Sequence, residues 1–186
     1  MEEKGRPAVN KFVNTCSFAG VKPIMVDLPY PSIQVCGPNQ TFANLLSVDY
    51  CGAVSELSAI TQYINNENRM SCEKCPLVKT ILGIAMAEMM HLQKLGELIY
   101  LLGGTIDYTA IECDGRRRMW TPKYITIPED IRKMLLADID AEKAAISQYQ
   151  MHMKMINDQY VNAVLARIIK DEEYHIMLLQ TLLKEG

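Results

Sequence analysis

Two Glu-x-x-His motifs stand in this chain, Glu88-Met-Met-His91 and Glu172-Glu-Tyr-His175, and each follows a lone glutamate at a similar distance. Glu56 precedes Glu88 by 32 residues, and Glu142 precedes Glu172 by 30. On a helix, a spacing of three puts both ligand atoms on one face, nearly one turn apart. The flanks are apolar: Ile81, Ile84, Ala85, Leu92 and Leu95 share the face of Glu88, and Leu165, Ile168, Ile169, Ile176 and Leu179 that of Glu172. Glu142 stands among Leu135, Ile139, Ile146 and Tyr149, and Glu56 among Ala53, Ala59, Ile60 and Tyr63. All four glutamates are therefore expected to point inward. Four ionised carboxylates in one interior cost far more than a domain's net stability unless they are compensated. Two divalent cations supply the missing charge. We expect Glu56 and His91 on one ion and Glu142 and His175 on the other, with Glu88 and Glu172 bridging as the catalytic carboxylates. Imidazole and carboxylate donors suit iron, taken first, with manganese as the alternative; affinity order alone does not choose between them.

Around these ligands, Tyr63 and Tyr149 lie two turns beyond Glu56 and Glu142 on the same faces. They read as packed core tyrosines able to hydrogen-bond to a ligand or take part in redox chemistry. Asp138, one turn before Glu142, could orient a ligand histidine or be an ordinary helix-face charge. His152 falls off the face of Glu142 and reads as a surface or rim residue. Arg116, Arg117 and Arg118 read as solvated.

The elements that must carry this set are four helical segments, roughly 40–67, 76–102, 127–156 and 158–184, with apolar residues at spacings of three and four. Thr126 with Pro128 and Glu129 reads as a capping box at the start of the third, and Asn157-Asp158 as the cap of the fourth. Short links join the first pair and the last pair. Residues 103–126 form one long connection. A bundle helix of this length spans roughly 40 Å, within reach of a link of that size. ELSAITQY and EKAAISQY repeat at the head of each half. The expected fold is all-α: two antiparallel helix hairpins joined by a long crossover, the ferritin-like four-helix bundle. Residues 39–186 form that bundle in this reading, and 1–38, with four prolines and no helical period, an irregular arm.

A net charge of −3 and a sequence pI near 5.6 leave no broad basic surface, which argues against nucleic acid or an anionic membrane as partner. With no signal-peptide pattern and no long apolar run, the expected location is the cytoplasm. The six cysteines are then read as thiols. Cys72 and Cys75 form the single Cys-x-x-Cys pair, one short of a four-thiolate zinc site; they are a redox pair or two reduced cysteines at a helix start.

With these residues in hand, the chain from about 40 to 184 resembles the ferritin-like superfamily, and within it the rubrerythrin-like branch. DEEYHIMLLQTLL is similar to that branch's last helix and AEKAAISQY to its third. LPYPSIQVCGPNQTFANLLSVDYCGAVSELSAITQY also resembles the entry to the first helix in manganese catalases and related spore-coat proteins. The resemblance implies a non-haem di-iron or di-manganese oxidoreductase acting on hydrogen peroxide or oxygen. Rubrerythrins have a carboxylate at the position of Ala145 and a rubredoxin-like domain that this sequence lacks, so peroxidase activity implies an external electron-donor protein. Manganese catalase-like disproportionation, which needs no reductant, is the alternative. A metal-storing or coat-assembly protein is the non-catalytic one. The arm is expected to pack on a neighbouring subunit, making a homodimer.

Overall fold

The computed structural model describes residues 18–70, 75–112 and 114–185. Cys72 lies outside these residues, as do residues 1–17 of the arm and the Cys75 side chain, so the Cys-x-x-Cys reading lies outside them too.

Helix formation follows the apolar pattern, with two departures. Helix α1 covers Gln40–Cys51 and α2 covers Glu56–Met70, so the single segment expected over 40–67 is broken. The break has local partners. Asn39 caps α1 through Phe42 N–H. At the break, the Ser55 and Ser58 hydroxyls both donate to the Gly52 carbonyl, and Ser55 Oγ accepts the Ser58 N–H. Ser55 thus caps the second helix. Glu56 falls in its first turn, where the helix dipole favours an anion.

Helix α3 runs Cys75–Leu101 and ends in Gly103, whose φ of +85° suits the left-handed closure of a helix. The crossover is not featureless. Strands β1 (Thr109–Ile111) and β2 (Arg117–Met119) pair antiparallel, Ala110 opposite Arg118. Arg116, Arg117 and Arg118 are exposed and paired with Asp114, Asp107 and Glu112. A short 3-10 turn, Pro122–Tyr124, follows.

Helix α4 covers Ile131–Met155, four residues later than the sequence predicts. Asp130, not Thr126, is its cap, accepting Lys133 N–H at 2.8 Å. The backbone of Thr126 is engaged instead by Gln62, which exchanges two hydrogen bonds of 2.7 Å with its N–H and carbonyl. Helix α5 covers Gln159–Glu185. Asp158 caps it as expected, through the N–H groups of Tyr160 and Val161.

The bent α1–α2 unit with α3, α4 and α5 makes the four-helix bundle. Its apolar interior is in two clusters. One gathers Leu46, Leu95, Leu98, Val164 and Ile168; the other gathers Met70, Ile81, Ile84, Leu135 and Leu179. Fully burying such side chains contributes about 1.5–3 kcal/mol each. The polar residues described next separate the two clusters.

The described part of the arm lies along α3 and α5 of the same chain. Ile24 N–H donates to the Gly83 carbonyl, Val26 N–H to Asp171, and Cys36 N–H to Asp158. Arg167 donates to the carbonyls of Val26 and Leu28. A Cβ on Gly83 would meet Ile24 Cγ1 at 2.7 Å, so glycine there permits the close approach.

Candidate metal centre

The bundle brings all six sequence-predicted ligands to one level. Glu56, Glu88, His91, Glu142, Glu172 and His175 are each at most 3% exposed. They form two groups of four: Glu56, Glu88, His91 and Glu172, and Glu88, Glu142, Glu172 and His175, with the donor atoms of each group within 4.8 Å of one another. Glu88 and Glu172 belong to both. His91 Nδ1 lies 2.8 Å from Glu88, 3.3 Å from Glu172 and 3.5 Å from Glu56. His175 Nδ1 lies 3.0 Å from Glu88, 3.1 Å from Glu172 and 3.5 Å from Glu142.

The donor set fits metal ions. Glu56 Oε2, Glu88 Oε1, Glu172 Oε2 and His175 Nδ1 are buried and make no aligned hydrogen bond, which is costly unless a cation completes them. The electrostatics agree. Burial, with Glu88 beside it, pushes Glu56 well above its ordinary value; burial with Glu88 and Glu172 pushes Glu142 up to about 8. Burial alone depresses His91 and His175, yet the surrounding carboxylates hold both imidazoles well above their ordinary value. Glu88, which burial pushes up, is nonetheless held low by the two histidines. Without a cation, protons balance this cluster, and divalent ions displace them on binding.

Each histidine presents Nδ1 inward and fixes Nε2 outward. His91 Nε2 lies 3.2 Å from Asp171. Asp171 is fully buried and also takes Tyr30 Oη at 2.6 Å, Val26 N–H at 2.8 Å and Arg167 at 2.7 Å. Burial raises its carboxyl, but His91, Arg167, Tyr30 and Val26 together bring it down to about 2. Tyr30 is held between the Lys94 ammonium and the Arg167 guanidinium, each 4.3 Å from the ring centre. His175 Nε2 donates to the Ile24 carbonyl at 2.8 Å.

The tyrosines cross between the halves. Tyr63 donates to Glu142 and Tyr149 to Glu56. Burial and the adjoining carboxylates raise both phenols well above their ordinary value, so they remain donors. Asp138 touches neither histidine among the described residues: its carboxylate accepts from Asn66 Nδ2 at 2.9 and 3.0 Å. Asp171, not Asp138, stands behind a ligand histidine. Arg167 one turn before it in the apolar face of Ile168 and Val164 was the signal that marked a buried ion pair. His152 is not a rim residue. It is 2% exposed, and its Nδ1 lies 2.7 Å from Asp49, which Gln148 also contacts. Its place one turn from Tyr149 and Ile156 marks that burial.

A cleft of about 170 Å³ reaches the four glutamates from between α2 and α4. Ala59, Ala137, Ala141, Ala145 and Asp138 wall it, with Tyr124 and Thr126 of the crossover at its edge. Neither histidine lines it; Asp171 of α5 covers the outer nitrogen of His91, and the arm's Ile24 carbonyl that of His175.

A ferritin-like domain model matches residues 55–186. A probable manganese catalase from Clostridium acetobutylicum is 26% identical over 170 residues, covering 82% of this chain and 75% of that protein. The crystal structure of KatB, a manganese catalase from Anabaena, superposes with a TM-score of 0.74 at 25% identity over 86% of this chain and 78% of that one. The Mycobacterium tuberculosis bacterioferritin BfrA shares the fold, with a TM-score of 0.65 at 23% identity over 80% of this chain and 87% of that one.

Proposed function

Because the chain belongs to the ferritin-like domain family, we propose that it is a two-metal oxidoreductase acting on hydrogen peroxide. Glu56, Glu88, His91 and Glu172 would hold one ion, and Glu88, Glu142, Glu172 and His175 the other. The observation that carries this reading is the sharing of Glu88 and Glu172 between two buried groups of four donors. When bound, the pair supplies two-electron exchange with peroxide by cycling between oxidation states. The likeness to manganese catalases in sequence and fold favours manganese and disproportionation over a reductant-dependent, rubrerythrin-like di-iron peroxidase.

The chain's own residues do the rest. Glu88 and Glu172 hold the two positions together, and Asp171 and the Ile24 carbonyl fix the histidine rings through their outer nitrogens. Tyr63 and Tyr149 hold the terminal glutamates by hydrogen bonds. The cleft admits peroxide on the carboxylate side, while the arm keeps water from the histidine side. Asp138 on the cleft wall, pushed up to about 7 by burial against the opposing pull of Asn66, is placed to exchange a proton with substrate near neutral pH. Residues 18–38 are the strap that serves the bundle of 39–186, in the cytoplasm. Among the described residues no helix is long and apolar enough to cross a membrane.

Metal analysis of the protein as isolated, with a peroxide assay run with and without reductant, tests this. Two manganese ions per chain with oxygen release in the absence of reductant is the expected result. Two irons with turnover that depends on an electron-donor protein selects the rubrerythrin-like reading, and no redox metal overturns both. Gel filtration tests the homodimer.

A further inference from the structure

The cleft is much larger than hydrogen peroxide needs. One water occupies roughly 10–15 Å³ of such volume, and peroxide has two heavy atoms, whereas the cleft holds about 170 Å³. Its size matches that of an apolar protein cavity of about 150 Å³ that takes up benzene. Its wall carries the methyl groups of Ala59, Ala137, Ala141 and Ala145, with Tyr63 and Asp138 beside them. Its floor is polar and reactive: Glu56, Glu88, Glu142 and Glu172, the carboxylates that would hold the metal pair, line it, all at least 97% buried. A ligand complementary to both ends has an apolar body and a small polar head that reaches the carboxylate floor.

We propose that the cleft is a binding site for organic hydroperoxides, with the apolar group along the alanine wall and the O–O group at the floor. This rests on the peroxide reading above. The step balances without a further reagent: the O–O bond of ROOH breaks and takes up two electrons and two protons, giving ROH and water. Hydrogen peroxide supplies both pairs by becoming oxygen, so that ROOH and H2O2 give ROH, H2O and O2. A tertiary hydroperoxide has no O–O hydrogen pair to release as oxygen and acts only as the oxidant.

Cumene hydroperoxide is the probe. The protein as isolated, given limiting hydrogen peroxide, releases one oxygen for every two peroxides when disproportionating; added cumene hydroperoxide raises this toward one for each and yields 2-phenyl-2-propanol in equal amount. Isothermal titration calorimetry with that alcohol reports binding apart from turnover. Ala141→Leu, at an exposed position in the cleft wall, is expected to weaken alcohol binding about tenfold and to lower kcat/KM for cumene hydroperoxide more than for hydrogen peroxide. An unchanged oxygen yield, or no binding of the alcohol to the unaltered protein, overturns the proposal. If hydrogen peroxide itself is not consumed, the reading of the previous subsection falls, and the calorimetry alone decides whether the cleft takes an apolar group; no heat there sinks this proposal on its own.

Discussion

The half of the centre built on His91 and the half built on His175 share one ligand plan and differ in what stands behind it. Each has a terminal glutamate, two shared carboxylates and an imidazole that turns Nδ1 inward. Even the tyrosines correspond, each bonding the glutamate of the other half. Behind His91 is a buried carboxylate, Asp171, held by Arg167, Tyr30 and Val26. Behind His175 is a neutral backbone carbonyl of the arm. The twin of Asp171 in the first half is Ala87, one residue before Glu88. A carboxylate partner makes an imidazole more basic than a carbonyl partner does, so two nearly equal cages present unequal electronic surroundings. The repeated spacing of Glu and Glu-x-x-His in the two hairpins accounts for the likeness, and Asp171 on one side and the arm's Ile24 on the other for the difference.

The largest effect comes from removing what the halves share. Glu88→Ala is expected to drop the metal content from two ions to at most one and to abolish peroxide turnover, whereas His91→Ala and His175→Ala each cost one position; metal analysis of the three variants checks the order. Retention of two ions by both histidine variants would break the ligand assignment.

Removing both metals comes next. A ligand at a thousand times its Kd stabilises by about 4 kcal/mol, and for a chain of this size each kcal/mol moves Tm by about 2–4 °C, so chelation is expected to lower Tm by about 10 °C or more. The pH dependence of the metal-free protein has a definite sign. Glu142 moves from 4.5 unfolded to about 8 folded, and Glu56 and both histidines are raised as well. The native state therefore binds more protons than the unfolded state between those values, and its stability falls as pH rises through that window. Calorimetry is expected to show Tm falling from pH 5 to about pH 8 in chelated protein, with the slope weakened or reversed when manganese is bound, because binding displaces those protons. A flat metal-free profile would show that protons do not balance this cluster.

The asymmetry itself is tested by a smaller change. Asp171→Asn is expected to weaken one of the two manganese-binding steps by about 10–100-fold and leave the other near its original strength, as read by titration calorimetry. Equal weakening of both steps would mean that the two halves are not distinguished by their outer partners. Of about the same size, Tyr63→Phe and Tyr149→Phe each remove one hydrogen bond to a carboxylate, about 1.5–3 kcal/mol, and by symmetry are expected to lower Tm by similar amounts.

The clustering of the six candidate ligands was legible because ionisable residues in an apolar helical stripe have few physical excuses, and two matched motifs leave fewer. The crossover and the bundle followed from helix lengths and link lengths. The break at Gly52–Ser55 was not legible, because the apolar spacing runs on through it and the hydroxyls that stabilise it look like ordinary helix residues. Thr126 had the composition of a cap, but Gln62, 64 residues away in sequence, claims its backbone groups. Asp138 and His152 were misjudged for the same reason: each finds its partner, Asn66 or Asp49, on another helix. Local pattern reports which face is buried, while the identity of a partner across the bundle is a property of the assembled fold.

The arm's docking has a temporal meaning. Ile24 meets His175 across 151 residues of sequence, and Tyr30 meets Asp171 across 141. A ribosome makes the strap well before the helix that receives it, at about 5–20 residues per second. For several seconds the strap has no groove to occupy, and contacts of such long range are slow to form even afterwards. The contacts that fix the outer nitrogen of His175 and that hold Asp171 thus wait for α5 to be made.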